Sequence, residues 1–367
     1  MNQELVMKIV ALIAIPCLMV ALVMPFIKKL ANHIGAMDIP NARKVHSIPI
    51  PRLGGLGIYL GFLLGYMFFG EPTAQMNSIL IGSFIIVLTG VIDDIKPLKA
   101  SHKFLGQLAA TLIVVFYGGI LLKELSAFGF YANFGIFSPL VTIFFILGCI
   151  NCMNLIDGLD GLAGGISAIF FLTIGIIATC KGQYELAFVL SFIMFGSCLG
   201  FLFYNFHPAS IFMGDSGSMF LGFIMAIIAL LKYKNVMMTS IIVPLLILTI
   251  PISDTLFAII RRKLKGESIS TPDKMHIHHQ LLKRNLGQRT TVILIYIATS
   301  LFAAASIVYV LKDANLGYIL YGILLFCVLI FAFKTDVIFS HHTEEEKKEE
   351  IEELKKTTKK KSTSKKK

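Results

Sequence analysis

At 367 residues, 56% of them hydrophobic and only 15% charged, the chain is too apolar for an ordinary water-soluble enzyme, because soluble domains carry nearer a quarter charged residues. A formal net charge of +11 would suit nucleic acid, but ten of the 33 Lys and Arg lie between His341 and Lys367, and membrane topology accounts for the others. No nucleic-acid partner is expected.

The apolar residues fall in runs that approach the roughly 20 residues an α-helix needs to cross hydrocarbon, not in the short alternating segments of a membrane β-barrel. Eleven spans are predicted, at 4–27, 53–69, 77–92, 103–121, 137–153, 162–180, 184–203, 217–232, 238–260, 291–311 and 316–334. The expected fold is therefore an all-α integral membrane protein, a polytopic helical bundle of about eleven transmembrane helices, with a membrane domain over residues 1–340 and a charged cytoplasmic tail over 341–367. Sixteen Lys and Arg fall in loops on one side and five on the other. By the positive-inside rule the basic side is cytoplasmic, which puts the N-terminus outside and the tail inside.

In chain order, the first run has no small-residue cleavage site and is too long for a signal peptide's apolar core, so it reads as a retained span. In the second, Gly57, Gly61 and Gly65 recur every four residues, a pattern of close helix packing. The third closes on Asp93-Asp94, two adjacent carboxylates that repel unless a cation is near. The fifth holds Cys149 and Cys152, a C-x-x-C without a second pair, which reads as apolar packing rather than a metal or redox site. It is followed by Asn154-Leu-Ile-Asp157-Gly-Leu-Asp160-Gly161. A continued helix would place Asn154, Asp157 and Asp160 on neighbouring turns of one face.

The eighth span opens with Gly214-Asp215-Ser216, where a carboxylate beside helix amides suits Mg²⁺ and phosphate; an ordinary N-cap is the plainer alternative. Asp254 in the ninth span reads as a packing or gate residue, and His33, His102 and His207 as loop residues. The following basic loop carries Arg261-Arg262 and His276-Ile-His278-His279, a set better suited to a polyphosphate than to zinc. The tail alternates Glu and Lys blocks and cannot bury a core. Intramembrane carboxylates are costly and therefore functional candidates. Gathered on one membrane face beside a basic loop, they suit transfer between a soluble phosphorylated donor and a lipid acceptor. A carboxylate-dependent secondary transporter is the rival of another class, but its sites belong at the bilayer midplane in two matching halves, and no internal repeat is visible.

Five motifs in order, Arg43-Lys-Val-His46 with Pro51-Arg52-Leu-Gly54-Gly55, Asp93-Asp94, Asn154 to Gly161, Tyr204-Asn205 with Met213 to Ser218, and His276 to His279, resemble the polyprenyl-phosphate N-acetylhexosamine-1-phosphate transferase family, a glycosyltransferase 4 type. The resemblance implies an Mg²⁺-dependent enzyme, with Mn²⁺ as a substitute, that moves a sugar 1-phosphate from a UDP-sugar to undecaprenyl phosphate in the cell membrane and releases UMP. It implies Asp215 as metal ligand, Asp93, Asp94 and Asp157 as catalytic carboxylates, and Lys44, His46, Arg52, Asn154, Asp160, Asn205, Phe212, Arg262, His276, His278 and His279 as substrate-binding residues. Asn205 and Phe212 match positions near uracil, and the His loop matches a diphosphate-binding segment. The spacing of the His motif resembles the WecA/TagO branch more than MraY, which makes UDP-N-acetylglucosamine the expected donor for teichoic acid or another surface glycan. The alternative within the family is transfer of phospho-N-acetylmuramoyl-pentapeptide. Membrane lipid is the surrounding partner, and a homodimer is one assembly open to it.

Overall fold

The computed structural model describes residues 2–40, 48–127, 130–231, 242–264, 266, 275–335 and 337. Lys44, His46 and the charged tail lie outside them. Thirteen α-helices are described: α1 (Gln3–Ile34), α2 (Gly54–Phe69), α3 (Ala74–Ile95), α4 (Ala100–Leu112), α5 (Ser138–Ile156), α6 (Leu162–Cys180), α7 (Leu186–Asn205), α8 (Gly214–Leu230), α9 (Ile242–Ile247), α10 (Thr249–Leu264), α11 (Ile277–Lys283), α12 (Gln288–Leu311) and α13 (Ala314–Lys334). Seven helices among the described residues are long and apolar enough to cross a membrane, with α2 and α8 as shorter apolar helices. The protein is a polytopic helical membrane protein. Two short antiparallel pairs complete it: β1 (Met37–Asp38) with β2 (Ile50–Pro51), and β3 (Glu124–Ala127) with β4 (Phe130–Asn133).

Helix association in lipid rests on close packing rather than on burial from water, and the glycines show where. A side-chain carbon on Gly61 would lie 2.5 Å from Val20 of α1 and 2.8 Å from Ser197 of α7, so the Gly57–Gly61–Gly65 face is the seam along which α2 fits between those helices. Helix α8 is the centre of the bundle. Every residue from Ser216 to Leu230 is buried, against α3 and α5 on its sides and α2 at its start. Phe220 meets Tyr59 and Phe62 of α2 edge-on, with ring centroids 5.5 Å apart in both pairs.

The structure departs from the expected elements in three places. Helix α5 ends at Ile156, and Gly161 adopts φ +79° before α6 begins. Asp157 and Asp160 thus sit on a turn, not on a continued helical face, because glycines at 158 and 161 favour a reversal over another helical turn. The ninth span is broken at Leu248, where Thr249 Oγ1 donates to Leu246 O at 2.7 Å and Pro251 lacks an amide for the helical ladder. Finally, α4 gives way to a π-helical turn at Ile113–Tyr117, so the fourth span leaves α-helical geometry before its expected end.

Candidate active site

Two helix ends are stapled together by backbone. Phe212 N donates to Pro51 O at 2.7 Å, Gly54 N to Phe212 O at 2.9 Å, and Gly55 N to Met213 O at 2.8 Å, which ties the start of α2 to the start of α8. No side chain fits between these helices. A Cβ on Gly55 would lie 2.0 Å from Gly217 N, and one on Gly90 would lie 2.3 Å from Ser216 Cα. The contact brings Arg52, Asp93, Asp94 and Asp215, scattered over 163 positions, to one point, with carboxylate oxygens of the three aspartates within 4.8 Å of one another.

The two adjacent aspartates have different partners. Asp94 accepts from Arg52 Nε (3.1 Å) and Nη2 (2.8 Å), from the amides of Asp215 (2.9 Å) and Ser216 (3.1 Å), and from Ser216 Oγ (2.7 Å). Five donors fill the acceptor capacity of one carboxylate. Met213, at the N-cap position of α8, makes no side-chain cap bond; the cap is Asp94, reaching across from α3 and meeting the amides and positive end of the dipole. Asp93 faces the other way. Its Oδ1 accepts from Leu98 N at 2.7 Å, and its Oδ2 lies 2.9 Å from Lys103 Nζ.

Lys103 Nζ also lies 2.6 Å from Asp215 Oδ2, so one ammonium joins Asp93 to Asp215. This lysine was not among the residues expected at the site; in the sequence it counts only as loop charge. Its signal was a cation at the mouth of an apolar span, one helical turn before Gln107. Arg52 Nη2 stands 3.5 Å from Asp215 Oδ1, and Nη1 stands 3.7 Å from Asp38. Burial alone would lower the Arg52 pKa, but the Asp94 and Asp215 carboxylates more than offset it and hold it raised.

Beside this cluster lies a cavity of about 340 Å³. Arg52, Asp215 and Asp38 border it, as do Asn154, Asp157 and Asp160, with Asn205, Phe212, His279 and Gln288 also on the rim. Asn154 Nδ2 donates to Ser218 Oγ at 2.9 Å, tying α5 to α8. Burial, reinforced by the charges of Asp215 and Asp94, pushes the Asp157 carboxyl up to about 7. Asp160 Oδ2 lies 2.7 Å from His207 Nδ1 and accepts from Ala209 N at 3.0 Å, so His207, a loop residue as expected, also orients a cavity carboxylate.

Asn205 uses both ends of its amide on backbone, accepting from Gly161 N and donating to Ile211 O, each at 2.9 Å. It shapes the cavity wall. Among the His-loop candidates only His279 borders the cavity. His276 and His278 are 6% and 2% exposed and Arg262 is 5% exposed, and none of these three lines the cavity. Burial, helped by His279, lowers the His278 pKa to about 3, which leaves a neutral ring where a cationic one was an option.

The oxygen donors of Asp93 and Asp215 suit a hard divalent cation. Asp94 belongs to the same cluster, yet its oxygens are already engaged by five donors.

A profile for glycosyl transferase family 4 matches residues 76–233, which contain both aspartate motifs and the start of α8. Over 340 residues the chain is 43% identical to a probable undecaprenyl-phosphate N-acetylglucosaminyl 1-phosphate transferase of Bacillus subtilis, covering 90% of this chain and 92% of that protein. The chain belongs to the polyprenyl-phosphate N-acetylhexosamine-1-phosphate transferase family. It is also 33% identical over 327 residues to a decaprenyl-phosphate N-acetylglucosaminephosphotransferase of Mycobacterium leprae (80% of this chain, 82% of that one). Against an undecaprenyl-phosphate alpha-N-acetylglucosaminyl 1-phosphate transferase of Escherichia coli K12 it is 31% identical over 293 residues (77% and 78%). Membership in this transferase family removes the transporter reading.

Proposed function

We propose that this enzyme transfers N-acetylglucosamine 1-phosphate from UDP-N-acetylglucosamine to undecaprenyl phosphate at the cytoplasmic face of the cell membrane, the first membrane step of teichoic acid or other surface-glycan synthesis. The observation that carries the chemistry is the meeting of Arg52, Lys103, Asp93 and Asp215 at the edge of a cavity walled by Asn154, Asp157, Asp160 and His279. Both substrates are anionic, so such a site must supply cations while keeping carboxylates for a metal.

A phosphate oxygen of the lipid attacks the donor phosphorus that bears the sugar, the bond from that phosphorus to the bridging oxygen breaks, and UMP leaves with the electron pair. Lipid phosphate is already ionised near neutral pH, so direct attack needs little activation, and we favour it over a covalent aspartyl intermediate. Arg52 and Lys103 offer the cationic groups that orient two phosphates against their mutual repulsion. Asp215 with Asp93 would hold Mg²⁺, which when bound neutralises charge on the donor diphosphate. Asp94 fixes the start of α8 and so places Asp215. Asn205 and Phe212 form the wall where uracil would lie, with the Asn205 amide already spent on backbone, and His279 faces the diphosphate.

The acceptor's chain has a place as well. A mostly apolar groove of about 320 Å³ runs between α5 and the α9–α10 pair, bordered by Phe144, Gly148, Cys152, Met153, Leu256 and Ile259. Met153 borders this groove and the next residue, Asn154, borders the cavity. An isoprenoid lying there brings its phosphate to the α5 end of the site.

Purified protein in detergent with undecaprenyl phosphate, Mg²⁺ and a panel of UDP-sugars tests the proposal. UMP release should be greatest with UDP-N-acetylglucosamine and should vanish in Asp215→Asn. Efficient use of the UDP-muramoyl-pentapeptide, or Mg²⁺-dependent turnover surviving in Asp215→Asn, would refute it.

A further inference from the structure

Asp254 has no part in the mechanism above, yet it is a carboxylate only 2% exposed on α10. Its two oxygens are aimed at one segment: Oδ2 lies 2.8 Å from His276 Nδ1, and Oδ1 accepts from Ile277 N at 2.7 Å. The second bond caps α11, whose N-cap position, His276, makes no cap bond with its own side chain. The first holds the proton on His276 Nδ1 and fixes the rotation of that ring.

From His276 the contact continues toward the cavity. The His276 and His278 rings are parallel within 3° at 5.6 Å, and His278 and His279 are 4.3 Å apart. His278 is also seated on the turn that carries Asp157, since a Cβ on Gly158 would lie 2.7 Å from His278 Nε2. Of the three imidazoles only His279 borders the cavity. Buried, neutral His278 acts as a spacer, not as an anion ligand.

We propose that Asp254 is a positioning residue for sugar-nucleotide binding, acting through His276 and His278 to set the direction of His279. The three histidines of the motif are therefore not equivalent donors to a diphosphate: one faces the ligand and two transmit the anchor. This inference rests on the function proposed above, in which His279 meets the donor.

The test measures donor KM and kcat for UMP release in Asp254→Asn, made both in the wild-type enzyme and in His279→Ala. Removing a partner that orients a ligand-binding histidine should raise donor KM on the order of 10–100-fold in the wild-type background. In His279→Ala the same substitution should change KM by less than about twofold, because the residue through which it acts is gone. A KM increase of equal size in both backgrounds, or no increase in either, would overturn the proposal. If Asp254→Asn does not fold, His276→Ala in the same two backgrounds carries the same expectation and the same refutation. A wild-type protein that releases no UMP from UDP-N-acetylglucosamine would instead overturn the functional reading itself.

Discussion

Replacing Asp94 by Asn keeps its shape but turns one acceptor into a donor facing Arg52 and the amides of Asp215 and Ser216. We expect Asp94→Asn to lower both Tm and turnover, since losing a helix cap costs about 1 kcal/mol and Asp215 moves with the end of α8. Asp93→Asn should cost turnover with a smaller loss of Tm. Equal thermal stability of Asp94→Asn and wild type would show that the cap carries no weight. Asp157 gives the opposite sign. Its folded pKa, about 7 against an ordinary 3.8, means that the stability it contributes when protonated is lost as pH rises through 7. Asp157→Asn should therefore be more stable than wild type, and its advantage should grow by on the order of 2 kcal/mol between pH 5.5 and 8. A pH-independent difference in Tm would contradict this. The costly carboxylates were legible in the sequence because a charge beside hydrocarbon needs a reason. Lys103 was not, because a basic residue at a span's end is equally well explained by topology. Asp254 was visible but its partner was not, since the pairing with His276 spans 22 residues and reaches past the end of α10.

At the level of elements, apolar runs placed the spans, but their ends depended on contacts between helices. Helix α8 begins at Gly214, three residues before the expected start, because its cap comes from α3. Helix α5 stops at Ile156, inside the polar run from Asn154 that was expected to continue it. The glycine face of α2 was readable as a seam, while Gly90 gave no such signal; its neighbour is the backbone of Ser216, 126 positions away. Gly90→Ala would place a methyl 2.3 Å from Ser216 Cα, so α3 and α8 must part. We expect a fall in Tm and a loss of UMP release, against the gain of up to about 1 kcal/mol that Gly→Ala gives an unhindered helix. Gly322→Ala on α13, where an added Cβ meets nothing within 4 Å, should leave turnover unchanged and serves as the control. Unimpaired Gly90→Ala would mean that the crossing is looser than described.

For the whole molecule, the loop asymmetry predicts that the cavity opens on the cytoplasmic side, and labelling tests that expectation. In a cysteine-free background, Cys at Lys99, between α3 and α4, should resist a membrane-impermeant maleimide applied to intact cells, and Cys at Lys123, before the β3–β4 hairpin, should react. The reverse pattern would invert the topology. The assembled site draws on residues from Asp38 to Gln288, which is why composition and spacing showed its parts but not their arrangement.

That spread also sets an order of events during synthesis. Asp94 is made 122 residues before Ser216, so at 5–20 residues per second it waits roughly 6–24 s for the helix it will cap. Arg52 precedes it in the chain and forms its other contact. The nascent protein therefore already carries a countercharge when this carboxylate reaches the bilayer. The lining of the cavity is complete only once Gln288 has been made, so a ribosome stalled before α12 leaves a chain in the membrane whose cavity lacks part of its rim.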